Sequence, residues 1–171
     1  LEAASGQTTE RVLMLARIKH ALDAGQFHLY AQPIQKADGS GYYEILARME
    51  SEGEIITPDR FIPLIAQFNL SHRFDMCVLE KLLLWLRDHP ASQGGTRFSV
   101  NLMPLTLMQK EVATEISALF EHYGIAPQDV VLEITEEQAF SSSGSSIKNL
   151  QPLRDRGFRF AIHEYGTGYA N

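Results

Sequence analysis

Hydrophobic and polar positions change their period several times along the 171 residues, and each change marks an element. From Arg11 to Asp23 the apolar residues Leu15, Ile18 and Leu22 recur at helical spacing, and Gly25 supplies a stop. Residues 27–34, Phe-His-Leu-Tyr-Ala-Gln-Pro-Ile, alternate and are rich in aromatics, the pattern of a strand. Ala-Asp-Gly-Ser-Gly then turns the chain, and Tyr42 to Met49 returns as the second strand of a hairpin. Thr57 as cap and Pro58 at the first helical position open the next helix. Asn69 or Ser71 caps another, long and leucine-rich, that ends before Pro90.

After Pro90 the pattern changes. Residues 97–102 predict a strand, Leu107 to Gly124 a helix, Asp129 to Thr135 a strand, Ile147 to Arg156 a helix, and Phe158 to His163 a strand. The serine-rich loop 141–146 leads into the second of these helices. Apolar strands alternating with helices imply βα units and a parallel sheet. Preceded by a hairpin, such units begin either a doubly wound sheet or an α/β barrel. In both, ligand sites gather at the C-terminal ends of the strands.

Composition narrows the partners. A 44% hydrophobic chain of this length can bury a core as one domain, with residues 1–9, small and polar, expected as a linker and 10–171 as the domain. The net charge of −6 argues against a broad basic face for DNA, where Lys and Arg must neutralise phosphates. It leaves room for a small phosphorylated ligand held through a metal. The single cysteine, Cys77, sits in an apolar helical context, excludes a disulfide framework and fits a reducing compartment. No apolar run reaches the ~18 residues of a membrane span, and the expectation is a cytoplasmic domain whose parent protein can carry an anchor elsewhere.

The strand ends carry the chemistry. Glu44 lies in the second strand between Tyr43 and Ile45, Asn101 follows Val100, Glu133 lies between Leu132 and Ile134, and the last strand ends in His163-Glu164. An unpaired buried charge costs several kcal/mol, so such groups must be paired or coordinated. Each has an ordinary alternative: Glu44 facing solvent, Asn101 closing a strand end, Glu133 capping the helix that follows, His163 satisfied in the core or a loop. If parallel strands bring the ends together, the converging oxygens suit a hard divalent cation such as Mg²⁺ or Mn²⁺.

Five ordered motifs resemble those of the EAL domain family, which binds and hydrolyses cyclic di-GMP in bacterial signalling. They are Tyr-Ala-Gln-Pro-Ile (30–34), Glu-Ile-Leu-Ala-Arg (44–48), Phe-Ser-Val-Asn-Leu (98–102), Leu-Glu-Ile-Thr with Glu136, and His-Glu-Tyr-Gly-Thr-Gly-Tyr-Ala-Asn (163–171). The resemblance implies a modified TIM-type (β/α) barrel with one antiparallel leading strand. It implies that Glu44, Asn101, Glu133, His163 and Glu164 are metal ligands, Glu44 being central to catalysis. It implies further that Arg48 contacts a ligand phosphate, and that Gln32 and Leu46 line the ligand pocket. Cyclic di-GMP, pairing as a homodimer and an N-terminal sensor or GGDEF-type module are the implied partners.

Three departures from the family pattern bear on function. Ile45 replaces an alanine and stays apolar. His163-Glu164 replaces an aspartate pair: a neutral imidazole is a poor Mg²⁺ ligand, and glutamate reaches one methylene further, so a weakened second metal is expected. The match also stops after the Tyr-Gly-Thr-Gly-Tyr stretch, so the barrel is expected to be incomplete here. The readings are a metal-dependent phosphodiesterase making linear 5′-pGpG, a non-catalytic cyclic di-GMP receptor, or an interaction module. Retention of Gln32 and Arg48 argues against the last.

Overall fold

The computed structural model describes residues 2–94, 97–139 and 145–163. Helix α1 (Glu2–Ala24) leads into strands β1 (Phe27–Gln35), β2 (Gly41–Ser51) and β3 (Glu54–Ile56). Helices α2 (Pro58–Gln67) and α3 (Ser71–Asp88) follow, then β4 (Phe98–Asn101), α4 (Pro104–Leu107) and α5 (Val112–Tyr123). The last described elements are β5 (Val130–Thr135), α6 (Glu136–Ala139), α7 (Ser145–Asp155) and β6 (Arg159–His163). Together they form an α/β fold on one mixed sheet in the order β1-β2-β4-β5-β6, with β3 paired to β2. β1 runs antiparallel to β2, while β2, β4, β5 and β6 are mutually parallel. Among the described residues the sheet is open, with β1 and β6 at its ends.

One face of the sheet is apolar and buried under helices. Phe27, Ile45, Met49, Phe98, Val100, Val130, Leu132 and Ile134 meet Leu79, Leu82, Leu83 and Leu86 of α3 and Ile116 and Phe120 of α5 in a continuous core. Alternation along each strand dictates this, because Ile45 and Met49 of β2, Phe98 and Val100 of β4, and Val130, Leu132 and Ile134 of β5 recur at two-residue or four-residue steps on that face. Near β1, Phe27 packs edge-on against both Phe61 and Phe74, with ring centroids 5.2 Å apart in each pair.

Helix boundaries depart from the sequence pattern in three places. α1 begins at Glu2, so the segment expected as a linker is helical and continuous with the stripe from Arg11. Between α2 and α3, Asn69 takes a left-handed conformation (φ 57°) and Leu70 is the N-cap, so neither Asn69 nor Ser71 caps the helix. Thr57 and Pro58 do open α2, although the Thr57 hydroxyl donates to Asp59 rather than capping a backbone N–H. The helix expected over 107–124 is broken at its start: the short α4 ends at Leu107, and α5 begins only at Val112. Its break has a visible cause, since the Leu107 carbonyl accepts a bond from the Asn149 side-chain amide of α7 at 2.8 Å instead of continuing a helical ladder. Gly124 then ends α5 in the left-handed region at φ 67°.

The N-terminal helix is fastened to the end of β2. Arg17 Nε donates to Ser51 Oγ at 2.8 Å, and its Nη2 reaches Ser51 O at 3.3 Å and Glu54 at 3.2 Å. Glu54 also accepts from Arg60 of α2 at 2.7 Å, so one carboxylate ties α1, the β2–β3 hairpin and α2 together. Cys77, expected in the core, is half-buried on α3, and burial raises its thiol above the ordinary value. Among the described residues no helix is long and apolar enough to cross a membrane.

Candidate active site

Register sorts the site residues onto the second face of the sheet. Gln32 pairs with Glu44, Tyr30 with Leu46 and His28 with Arg48. Glu44 pairs with Ser99, Asn101 with Glu133, and Glu133 with Ala161. Cross-strand partners share a face, and side chains alternate along each strand. Gln32, Glu44, Leu46, Arg48, Asn101 and Glu133 therefore all lie opposite the helix-covered core. A slip of one residue in any strand would send its members into that core.

The centre of this face is Asn101. Its side-chain Nδ2 donates to Glu44 Oε1 at 3.2 Å. Its Oδ1 is buried and has no hydrogen-bond partner among the described residues, and the same holds for Ser99 Oγ two residues earlier on the same face. Glu133, in register beside Asn101, is only 7% exposed. Tyr42, two residues before Glu44 on β2, reports the resulting field. Burial raises its phenol above the ordinary value, and the negative charges of Glu133 and Glu44 add to that.

These groups fit a hard cation. An orphaned amide oxygen beside two carboxylates, within a negative field, is the donor chemistry a divalent oxygen-seeking metal satisfies. Among the described residues no three His, Cys, Asp or Glu side chains gather into a cage, so the described donor set is Glu44, Asn101 and Glu133. His163 is the last residue of β6, in register with Thr135. Its side chain and all of Glu164 lie outside the described residues, so only the His163 backbone of that pair is placed.

Beyond the oxygen cluster the same face becomes basic and aromatic. Arg48 is half-buried, its Nη1 donates to Ala47 O at 3.0 Å, and its guanidinium lies 5.8 Å from the centroid of the Tyr30 ring. His28 Nε2 lies 2.6 Å from Glu50 Oε2 at the far end of the hairpin. Gln32, directly opposite Glu44, is exposed. The face thus presents an acidic metal-capable centre flanked by a guanidinium, an amide and an aromatic ring, a set suited to a phosphodiester carrying planar bases.

Two contributors on this face went unassigned from sequence, Tyr30 and Tyr42. Alternation along β1 and β2 puts Tyr30 on the face of Gln32 and Tyr42 on the face of Glu44. A third, Asp75, lies behind the site and is 1% exposed. Its signal was an acidic residue within the apolar stripe Phe74, Val78, Leu79, Leu82 of α3.

A mixed α/β sheet with two carboxylates and an amide gathered on the face opposite its core defines a class, and comparison with known proteins gives it a name. The family model for the EAL domain matches residues 15–171, and the chain belongs to that family. It is 61% identical over 170 residues to the probable cyclic di-GMP phosphodiesterase PdeA of Escherichia coli K12, covering 99% of this chain and 23% of that protein. The chain therefore spans about a quarter of that relative's length. Among solved structures, the PaMucR phosphodiesterase in complex with c-di-GMP aligns with a TM-score of 0.80 at 25% identity, covering 93% of this chain and 66% of that one. The Xanthomonas citri FimX EAL domain aligns with a TM-score of 0.82 at 17% identity, covering 92% of this chain and 62% of that one, a likeness of fold.

Proposed function

We propose that this chain forms the metal-binding part of a phosphodiesterase that hydrolyses cyclic di-GMP to linear 5′-pGpG. The observation that carries the reading is the buried Asn101 Oδ1 between Glu44 and Glu133, which has no hydrogen-bond partner among the described residues. The similarity to a probable cyclic di-GMP phosphodiesterase and to a phosphodiesterase bound to c-di-GMP supplies the substrate.

In this reading water attacks one phosphorus, the bond from phosphorus to the 3′ oxygen breaks, and that oxygen takes up a proton, leaving a 5′ phosphate on a linear dinucleotide. A bound divalent cation would polarise the phosphoryl group and lower the pKa of the attacking water. Glu44, Asn101 and Glu133 hold that cation, and His163 and Glu164 offer further donors. Arg48, braced by Tyr30, meets a phosphate, and Gln32 and Leu46 line the wall for the ligand. Mg²⁺ and Mn²⁺ both suit the oxygen donors, and an imidazole at His163 favours Mn²⁺. Assembly as a homodimer behind a sensor or GGDEF-type module belongs to the same reading.

The replacement of an aspartate pair by His163-Glu164 favours a second reading, a receptor that holds cyclic di-GMP without cleaving it. Mn²⁺- and Mg²⁺-dependent production of pGpG by the whole protein separates the two. Turnover that Glu44→Ala abolishes supports the enzyme. Saturable binding of cyclic di-GMP without turnover replaces it with the receptor.

A further inference from the structure

Asp75 sits in the second turn of α3, on the far side of the sheet from the oxygen cluster, and is 1% exposed. Its Oδ2 accepts two bonds, from the Met103 backbone N–H at 2.8 Å and from Thr106 Oγ1 at 2.5 Å. Both donors belong to the segment that leaves β4 directly after Asn101. That segment is held at every step. The Leu102 N–H donates to Glu133 O at 2.9 Å, Asp75 takes the next N–H and the first turn of α4, and Asn149 captures the Leu107 carbonyl that closes it. Asn101 needs such a support. Among the described residues its side chain makes one bond, to Glu44, and its Oδ1 is left unsatisfied, so the site itself holds the amide by a single contact.

We propose that Asp75 is a positioning residue for the metal site: through Met103 and Thr106 it fixes the β4 exit so that Asn101 stays in register with Glu133 and within reach of Glu44. This rests on the phosphodiesterase reading for its consequence in catalysis, but not for its structural content. Support of a ligand by groups that do not touch the metal commonly changes metal affinity by about 10- to 100-fold when removed. Asp75→Asn retains an acceptor oxygen for both donors and keeps Asn101 in place. Asp75→Ala and Thr106→Val each release one or both bonds.

The test uses the whole protein with Asp75→Asn, Asp75→Ala and Thr106→Val. Three quantities are read: amide hydrogen exchange at Leu102 and Met103, Mn²⁺ affinity by calorimetry, and kcat and KM for cyclic di-GMP. Expected is at least tenfold faster exchange at both amides and about tenfold weaker Mn²⁺ binding in Thr106→Val and Asp75→Ala. kcat should fall while KM stays near that of the wild type, because Gln32 and Arg48 lie on other strands. Asp75→Asn should restore all three. If Asp75→Ala fails to fold, Thr106→Val alone decides. Folded variants with unchanged exchange and Mn²⁺ affinity overturn the proposal. A wild type that binds no Mn²⁺ and makes no pGpG sinks the phosphodiesterase reading instead, and the exchange data still decide whether Asp75 fixes the β4 exit.

Discussion

Titrating Asp75 tests the physical picture of that buried carboxyl independently of any ligand. Burial, only partly offset by the bonds from Thr106 and Met103, pushes it from 3.8 to about 7. The sign follows from proton counting. Between these values the folded protein binds a proton at Asp75 that the unfolded chain has already released, so stability falls as pH rises. The contribution is full below about pH 3.8 and gone above about pH 7. At ~1.4 kcal/mol per pH unit, the whole window is worth about 4 kcal/mol, and the part above pH 5 about 3 kcal/mol. Other groups titrate in the same range, so the measurement is a difference. Urea unfolding of wild type and Asp75→Asn is followed by circular dichroism at intervals from about pH 5 to about pH 8. Asparagine cannot ionise, and the stability of Asp75→Asn relative to wild type should rise by about 3 kcal/mol across that range. A difference that stays flat would refute the reasoning, and would mean that the carboxylate is solvated or paired well enough to ionise at its ordinary pH.

Two further outcomes follow from particular contacts. Phe27→Ala removes a fully buried ring that meets Phe61 and Phe74, and should lower stability by about 3–5 kcal/mol in the same unfolding assay. Asn101→Leu replaces an amide with one unsatisfied buried oxygen by an apolar group of similar volume. It should change stability by no more than about 1 kcal/mol while Mn²⁺ binding is lost, since a polar atom kept unsatisfied for a ligand contributes little to folding.

Much of the site was legible because its residues follow the simplest rule a sheet has. Glu44, Asn101 and Glu133 interrupt apolar strands, which marked them as polar groups that need a partner, and the register then puts all three on the face opposite the core. Gln32 and Arg48 became site residues only through resemblance, because an exposed amide and a half-buried arginine on a hairpin have no periodic signature. Where the pattern failed, a tertiary contact outcompeted local preference. Residues 107–124 carry a helix-compatible sequence throughout, yet Asn149 takes the Leu107 carbonyl from a position 42 residues away. β3 was missed because three residues are too few to show alternation. Asp75 was visible as an anomaly in the α3 stripe, but what it binds depends on where β4 exits, which no spacing within α3 encodes.

The join between Arg17, Ser51 and Glu54 gives α1 a role that its own weak packing pattern does not suggest. α1 is 23 residues long, which makes a rod of about 35 Å at ~1.5 Å per residue. Its C-terminal half is bolted through Arg17 to the final residue of β2, the strand that carries both Glu44 and Arg48. A lever so attached delivers a twist or pull at its tip to that strand, with no slack loop between. The same strand carries the Glu44 carboxylate that accepts from the Asn101 amide, so α1 and the oxygen cluster are joined through one continuous stretch of β2.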